Sequence, residues 1–286
     1  MPYFLAPRAL ASLLCATAMA CAGGCAGRPE APILQAPDGE ARQTSTRLEA
    51  LLPADVLILG EQHDAAEHQA IEQQVVAALA AKGALAALAL EMADTGVSTS
   101  ALRPSAAEQQ VRNALKWNDK GWPWTAYGPA VMTAVRAGVP VMGANLPRAQ
   151  MPASMADNRL DVRLTGPALK AQQQLIRIGH CNLLPESQIT PMTRIQIAKD
   201  ITMANTLGQA TLPGKTVLLL AGSGHADRLL GVPQHLPSEL KVKTVRLRAG
   251  SSENEKADAF DAVWVTPELP EKDYCADLDK KLPLKP

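Results

Sequence analysis

The chain has few aromatic residues and no net charge. Aromatic side chains make up 3% of its 286 residues, and 28 basic side chains are balanced by 28 acidic ones. Stacking of nucleic-acid bases needs aromatic platforms, and binding of phosphates needs an excess of positive charge. The composition therefore gives no support for a nucleic-acid partner. Apolar residues reach 47%, which is enough for a core in one large domain or in one domain with an insert.

The apolar run near the N-terminus is too short to span a bilayer. It reads ALASLLCATAMA, follows Arg8 and precedes small residues, as in an export signal. Cys21 follows AMA and Cys25 follows AGG, which resembles a bacterial lipoprotein cleavage box. We therefore expect residues 1–25 to be a signal peptide, with a lipid anchor on Cys21 or Cys25. Simple secretion after ordinary signal cleavage is the alternative.

The predicted location is the bacterial cell envelope. Ala rather than Asp stands at the second position of the lipidated terminus, whichever cysteine begins it. This favours anchoring to the outer membrane, facing the periplasm.

Cysteine is scarce after this leader. Only Cys181 and Cys275 remain for the folded part of the chain. In an oxidising compartment this even count favours a disulfide, which would tie the tail, residues 271–286, to a distant part of the chain. A pair of unrelated thiols is the alternative.

Short apolar runs alternate with helical patterns from residue 42 onwards. Most of the runs are uniformly apolar, which is typical of strands covered on both faces. The runs lie at residues 55–59, 85–90, 139–142, 216–221, 242–247 and 262–265. The segment AAEHQAIEQQVVAALAAKG, between the first two runs, has apolar residues at helical spacing. The pattern predicts an α/β fold with a mostly parallel sheet flanked by helices.

Residues 151–211 contain helical patterns and no comparable strand candidate. We expect them to form a smaller helical insert domain that covers one edge of the sheet. The α/β domain would then be discontinuous, with parts at residues 42–150 and 212–270.

Polar side chains follow four of the predicted strands. In parallel α/β sheets, ligands bind beyond the carboxyl ends of the strands. The polar residues at these ends are Glu61, Gln62, His63, Asp64, Glu91, Asn145, Arg148, Ser223 and His225. Two of the turns contain a Gly-x-x-His pattern, GEQH and GSGH, which is difficult to explain as two independent helix caps. The sequence therefore predicts a functional site at this rim.

Two kinds of site suit these side chains. His63 and His225, with Glu61 or Glu91, supply ligands for a divalent metal that would activate water in a hydrolase. Glu61 or Glu91 would then be the catalytic candidate, as a ligand or as the general base. Imidazole, tyrosine and arginine around an apolar cleft would instead hold haem, whose iron takes His or Tyr. Spacing alone leaves both alternatives open.

A longer series of motifs resembles a known family. In chain order the motifs are GEQHDAAEHQ, LALEM, KWNDKGWPWTAYGP, GANLPR, GHCNLLP, RIQIAKDITMA, LLLAGSGHADRLLGVPQHL and VWVTP. They cover nearly the whole mature chain and are similar to the ChaN-like family of haem-binding lipoproteins. That family shares a superfamily with Tiki-type proteases, TraB-type proteins and erythromycin-esterase-like enzymes.

The resemblance implies a lipid anchor and a role in haem or iron acquisition. The residues that match family motifs are Glu61, His63, Asp64, His68, Glu91, Trp122, Tyr127, Asn145, Arg148, His180, Gln196, Asp200 and His225. Among them, the expected haem-binding residues are Tyr127, Arg148, His180, His63 and His225, with Arg148 at the haem carboxylates. Cys181 and Cys275 also stand where such proteins tend to carry cysteines, which supports their pairing.

Two positions depart from the family pattern. Ser223 stands where an Asn is expected, and Asp227 stands where a basic residue is more usual. If that basic residue holds an anion in the family, Asp227 would repel it. The sequence also leaves open a homodimer that holds one cofactor between two chains.

Overall fold

The computed structural model describes residues 38–251 and 259–276. The predicted signal peptide with Cys21 and Cys25, and residues 277–286 of the tail, lie outside these residues. The helices of the described part are α1 (Asp38–Glu49), α2 (Ala66–Ala81), α3 (Glu108–Ala114), α4 (Trp124–Arg136), α5 (Met151–Ala156), α6 (Gly166–Gly179), α7 (Glu186–Ala210) and α8 (Ser223–Ala226). The strands are β1 (Val56–Glu61), β2 (Leu85–Asp94), β3 (Val141–Asn145), β4 (Thr216–Gly222), β5 (Val242–Ala249) and β6 (Ala262–Thr266).

The six strands form one parallel sheet in the order β3-β2-β4-β1-β5-β6. The predicted α/β fold with a parallel sheet is confirmed. Strands β1 and β2 continue beyond their apolar runs, to Glu61 and Asp94. Glu61 and Glu91 are therefore strand residues with fixed backbones, and they do not lie in the loops that follow.

Helices cover both faces of the sheet. On one face, Leu57 and Leu88 belong to an apolar cluster with residues of α2 and α4. On the other face, Ile58 and Leu219 pack in a cluster with Met203 and other residues of α7. Burial on both sides explains why these strands are apolar at successive positions. Helix α7 thus covers a face of the sheet, which corrects the expectation that this segment covers an edge.

Residues 151–211 carry α5, α6 and α7, and their division from the rest as an insert domain stays a prediction. The expected disulfide is present: Cys181, just beyond α6, is joined to Cys275 with a Cα–Cα distance of 5.8 Å. No helix within the described residues is long and apolar enough to cross a membrane.

Candidate functional site

The two Gly-x-x-His motifs lie side by side because β1 and β4 are neighbours in the sheet. Glu61 pairs in register with Gly222. Each motif contains a glycine that leaves room for the other motif. A Cβ on Gly222 would lie 2.9 Å from Nε2 of His63, and a Cβ on Gly60 would lie 2.8 Å from Cα of Ser223. The glycines are therefore explained by the close approach of the two motifs.

The carboxylate of Glu61 is 2% exposed and has three partners. The hydroxyl of Tyr127, in the first turn of α4, donates to Oε1 at 2.8 Å, and Nε2 of Gln69, in α2, donates to Oε2. Nδ1 of His63 lies 2.8 Å from Oε1. Because a carboxylate can only accept, the shared proton is on Nδ1, and Nε2 is the basic nitrogen of the neutral ring, 3.8 Å from Oε2 of Glu91.

The imidazole of His63 stands at the rim of the site. Its side chain is 41% exposed, and its ring packs edge-on against Trp122 with centroids 4.8 Å apart. Burial by itself lowers the pKa of His63, but the hydrogen bond to Glu61 and the charge of Glu91 raise this pKa above its ordinary value. The ring is therefore protonated to a larger extent at neutral pH than an isolated histidine.

Glu91, in β2, is the centre of a second buried cluster. The backbone N–H of Gly222 donates to Oε2 at 2.8 Å. Nζ of Lys199 and Nε2 of His225 lie 3.4 Å and 3.2 Å from Oε1. Burial by itself raises the pKa of Glu91, but the charges of His225 and Lys199 hold this pKa well below its usual range. Glu91 is therefore a carboxylate at physiological pH.

Helix α7 contributes three polar side chains from one face, Gln196, Lys199 and Asp200, at helical spacing. Oδ1 of Asp200 lies 2.5 Å from Nδ1 of His225, and Nε2 of Gln196 lies 3.1 Å from the same nitrogen. Burial by itself lowers the pKa of His225, but Glu91 and Asp200 raise it to about 10. His225 is thus a buried imidazolium held between two carboxyl groups.

A cleft of about 650 Å³ lies above these two clusters. Its volume is in the range of small-molecule sites. Residues of both Gly-x-x-His motifs line it, and so do Lys272 and Tyr274 of the C-terminal tail. The Tyr274 hydroxyl donates to Oδ2 of Asp64 at 2.7 Å, and Nζ of Lys272 lies 3.4 Å from the same oxygen.

Tyr127, an expected haem-binding residue, lies in the apolar core. Its side chain is 1% exposed, and its hydroxyl is committed to Glu61. Burial, reinforced by the charge of Glu61, raises the pKa of this phenol well above its usual range. In this structure the hydroxyl supports Glu61, and a direct role of Tyr127 in cofactor binding stays a prediction. Both ring nitrogens of His225 likewise face carboxyl groups, and its direct role in cofactor binding stays a prediction.

Arg148 and His180 lie outside the lining of the cleft. Arg148 is exposed in a 3-10 helix after β3 and has no side-chain partner within the part of the chain that is described. Nδ1 of His180 lies 2.8 Å from the carbonyl oxygen of Ile176, at the end of α6. Asp227, the departure from the family pattern, accepts the backbone N–H of Leu229 at 2.7 Å. The roles of Arg148 and His180 in cofactor binding stay predictions.

Two further motif residues hold the backbone of the site. Nδ1 of His68 accepts the N–H of Gln62 at 2.9 Å, and its Nε2 lies 3.1 Å from the hydroxyl of Thr266. Nδ2 of Asn145 donates to the carbonyl oxygen of Glu91 at 2.8 Å. These two side chains fix the strand ends that carry Glu61 and Glu91.

Sequence reasoning missed Gln69, Lys199, Lys272 and Tyr274. The position of Lys199 at the site could have been predicted, because this residue lies three residues after Gln196 and so shares a helix face with a motif residue. Gln69 lies next to a motif histidine in the first turn of α2. The positions of Lys272 and Tyr274 could not have been predicted from the sequence, because they depend on the path of the chain after β6.

The predicted metal ligands His63, His225, Glu61 and Glu91 do come together, but their donor atoms already have other partners. Among the described residues, no group of three or more His, Cys, Asp or Glu side chains is arranged to hold a metal ion. A metal-bound histidine needs a free ring nitrogen, and both nitrogens of His225 face carboxyl oxygens. The geometry does not support a divalent-metal site.

Residues 47–236 match the sequence family described as haem-binding uptake, Tiki superfamily, ChaN. The structure is similar to ChaN of Campylobacter jejuni, described as binding heme cofacially, with a TM-score of 0.66 and 28% identity over 76% of this chain and 89% of that chain. No curated protein sequence matches the chain.

Two solved structures are similar at a greater distance. The type III effector HopBA1 has 14% identity and a TM-score of 0.43 over 79% of this chain and 94% of that chain. A mutant of the erythromycin esterase EreC has 14% identity and a TM-score of 0.41 over 75% of this chain and 78% of that chain.

Proposed function

The chain belongs to the haem-binding uptake family of the Tiki superfamily, which includes ChaN, and on this premise we propose that it binds haem in the cleft. We further propose that it is an exported lipoprotein of the bacterial envelope that takes part in haem or iron acquisition. The 28% identical ChaN of Campylobacter jejuni is described as binding heme cofacially, which supports the first proposal.

One observation carries the proposal of haem binding: His63 presents an imidazole of fixed tautomer at the cleft. Glu61 holds Nδ1–H, so Nε2 is the basic nitrogen, and its side chain is 41% exposed. Haem, when bound, would supply an iron that takes such a nitrogen as a ligand. A carboxylate on the other ring nitrogen orients a ligating histidine and makes it more basic. His63 therefore fits this cofactor as an iron ligand, whereas the expected apolar cleft is not found, because polar side chains and glycines line it.

Other predicted residues enter the proposal in different roles. Arg148, which is exposed, is our candidate for the haem carboxylates, since guanidinium groups bind carboxylates in a bidentate manner. His180 is the second imidazole candidate. Tyr127 acts through Glu61, and His225 acts through Glu91, because both are buried and already hydrogen-bonded. A homodimer that holds the cofactor between two chains is also part of the proposal.

The proposals of export and lipid anchoring rest on residues 1–25. The disulfide between Cys181 and Cys275 supports them, because disulfides persist in oxidising compartments. Metabolic labelling with a fatty acid tests the anchor. We expect label in the wild type and its loss in either Cys21→Ala or Cys25→Ala, whereas label retained in both single variants and in the double variant would exclude lipidation at these positions.

The test of haem binding is a titration of the signal-free protein with haemin, followed by absorption spectroscopy. We expect a saturable Soret band that is lost or shifted in His63→Gln. His180→Gln tests the second imidazole candidate: this imidazole lies outside the cleft, so its removal should leave the band unchanged if His63 is the ligand. A band that is lost in His180→Gln and retained in His63→Gln would show that the iron ligand lies outside the cleft. No saturable band in the wild type would refute haem binding.

Hydrolysis is the second candidate function, and the same pair of residues favours it. A carboxylate on Nδ1 of a histidine, as between Glu61 and His63, is the arrangement of a general base whose Nε2 takes a proton from water. This candidate does not need the metal that the sequence suggested. A panel of ester and amide substrates tests it: turnover that is abolished in both Glu61→Gln and His63→Gln would establish it, and absence of turnover would reject it.

A further inference from the structure

The C-terminal tail reaches the cleft although it lies beyond the family match, which ends at residue 236. Lys272 and Tyr274 both line the cleft and both contact Asp64, which follows β1. The site of this chain therefore contains a wall formed by residues that lie outside the family match.

A disulfide joins the tail to the end of α6. Residues 267–275 form neither helix nor strand, and all of them except Leu269 are exposed. The side chains of Lys272 and Asp64 are 59% and 38% exposed, and an ion pair this exposed is too weak to order a segment by itself. The bond from Cys275 to Cys181 fixes the end of the tail to the protein and so keeps Lys272 and Tyr274 at a high effective concentration near Asp64.

Charge indicates what the tail would bind. Among the described residues that line the cleft, Lys272 is the one lysine or arginine. The rim also carries the carboxylate of Asp64, which would repel an anionic ligand. An ammonium and a phenol hydroxyl at the mouth of the cleft are donors for carboxylate oxygens. The tail therefore offers an anionic ligand the one lysine ammonium found among the described residues that line the cleft.

We propose that the tail is part of the binding site, that Lys272 and Tyr274 contact the carboxylates of the ligand, and that the disulfide Cys181–Cys275 holds them there. The identity of the ligand as haem rests on the proposed function, whereas the dependence of the tail on its disulfide does not. Reduction of this disulfide then opens the cleft and weakens ligand retention.

The reductant is a dithiol. One of its thiolates attacks the sulfur of the exposed Cys275, forms a mixed disulfide and releases Cys181 as a thiolate, which takes up a proton. The second thiolate of the reductant then displaces Cys275, which is protonated in turn. Two electrons and two protons pass from the dithiol to the two cysteines, and the dithiol becomes a disulfide.

The position of the tail is tested without any ligand, by carbodiimide cross-linking and mass spectrometry. Nζ of Lys272 lies 3.4 Å from Oδ2 of Asp64, so the oxidised protein should form an amide bond between these residues. Reduction, or Cys275→Ser, should reduce its yield at least about tenfold, because the local concentration of the tail falls. The cross-link between Lys82 and Glu49, whose atoms lie 2.7 Å apart, is the internal control and should not change. A Lys272–Asp64 cross-link of equal yield after reduction would overturn the proposal.

The ligand contact is tested by the rate at which haemin passes to an apo-globin acceptor. Relative to the oxidised wild type, we expect release to be about tenfold faster after reduction and about threefold faster in Lys272→Gln. Lys82→Gln removes a lysine from an ion pair on another part of the surface and should release haemin at the wild-type rate. Equal rates in the oxidised, reduced and Lys272→Gln proteins would overturn the proposal. If the oxidised wild type binds no haemin, the proposed function fails, and the cross-link still decides the position of the tail.

Discussion

Replacement of Glu91 by Gln should destabilise the fold more than any loss of a surface carboxylate. Glu91→Gln keeps the size of the side chain and its hydrogen bond from Gly222, but removes the negative charge that faces His225 and Lys199. Both groups of the Glu91–His225 pair are almost completely buried, with side chains 5% and 7% exposed. Water therefore cannot replace the missing charge.

The size of the effect follows from the burial of the pair. Removal of one partner of a buried ion pair costs about 3–5 kcal/mol. A pKa of His225 raised from 6.5 to about 10 corresponds to about 5 kcal/mol of stabilisation of the imidazolium by its neighbours. Since Asp200 remains beside His225 in the variant, we expect a loss near the lower limit, about 3 kcal/mol in the free energy of unfolding.

The loss of unfolding free energy in Glu91→Gln should be larger in weakly acidic than in alkaline solution. The pKa of His225 is higher in the folded than in the unfolded protein, so its contribution is complete below about pH 6.5 and is lost as the pH rises through about 10. The pKa of Glu91 is lowered from 4.5, so its contribution is present above about pH 4.5 and is lost in more acidic solution. The difference between wild type and variant should therefore be largest from about pH 4.5 to 6.5.

Urea unfolding of both proteins at about pH 6 and about pH 9 measures this difference. Glu49→Gln is the control, because its carboxylate pairs with Lys82 on the surface and its loss should be too small to measure. An equally small loss in Glu91→Gln, or a loss that grows from about pH 6 to about pH 9, would refute the buried ion pair as the source of stability.

Three further predictions concern the cluster around His63. Tyr127→Phe removes a hydrogen bond to Glu61 and should lower the free energy of unfolding by about 1–2 kcal/mol. The Soret band of bound haem should not shift in this variant, and a shift would identify Tyr127 as a ligand. Gly222→Ala places a Cβ 2.9 Å from Nε2 of His63, so the haemin affinity should fall about tenfold in a titration, and an unchanged affinity would contradict ligation by His63. Haemin affinity should also rise with pH through the raised pKa of His63, because an imidazolium cannot ligate iron; affinities measured across neutral pH that stay constant would show that this ring is not the ligand.

The fold was predictable from the sequence because its strands are covered on both faces. Runs such as TVLLLA are apolar at successive positions, and an exposed strand would alternate. The order of the strands was not predictable, since it depends on how far each crossover carries the chain. For this reason the sequence placed Glu61 and His225 at the same rim but could not show that their strands, β1 and β4, are direct neighbours.

The site was predictable where local sequence sets position and not where tertiary packing does. Glu61, His63, Glu91 and His225 follow apolar strand residues, so their rim was evident from the chain. The resemblance placed Tyr127 among the expected haem-binding residues, but the sequence could not show that this residue lies in the first turn of α4 with its hydroxyl bonded to Glu61. No local pattern distinguishes a buried phenol that supports a carboxylate from an exposed one.

A ligand can break the contacts of the exposed groups of the site but not those of the buried groups. The protein itself supplies the hydrogen-bond donors to Glu61 and Glu91, so both side chains are fixed before a ligand binds. Ligand binding therefore needs no further loss of conformational entropy at these two residues. At the rim, His63 and Lys272 are exposed, and Lys272 is paired with Asp64, which a ligand carboxylate must displace. The buried carboxylates set the orientation of the His63 imidazole. The exposed contacts at the rim, which a ligand can replace, set the rate at which the ligand is released. Control of ligand exchange should therefore lie in the tail and its disulfide, while the two Gly-x-x-His motifs maintain a constant geometry beneath them.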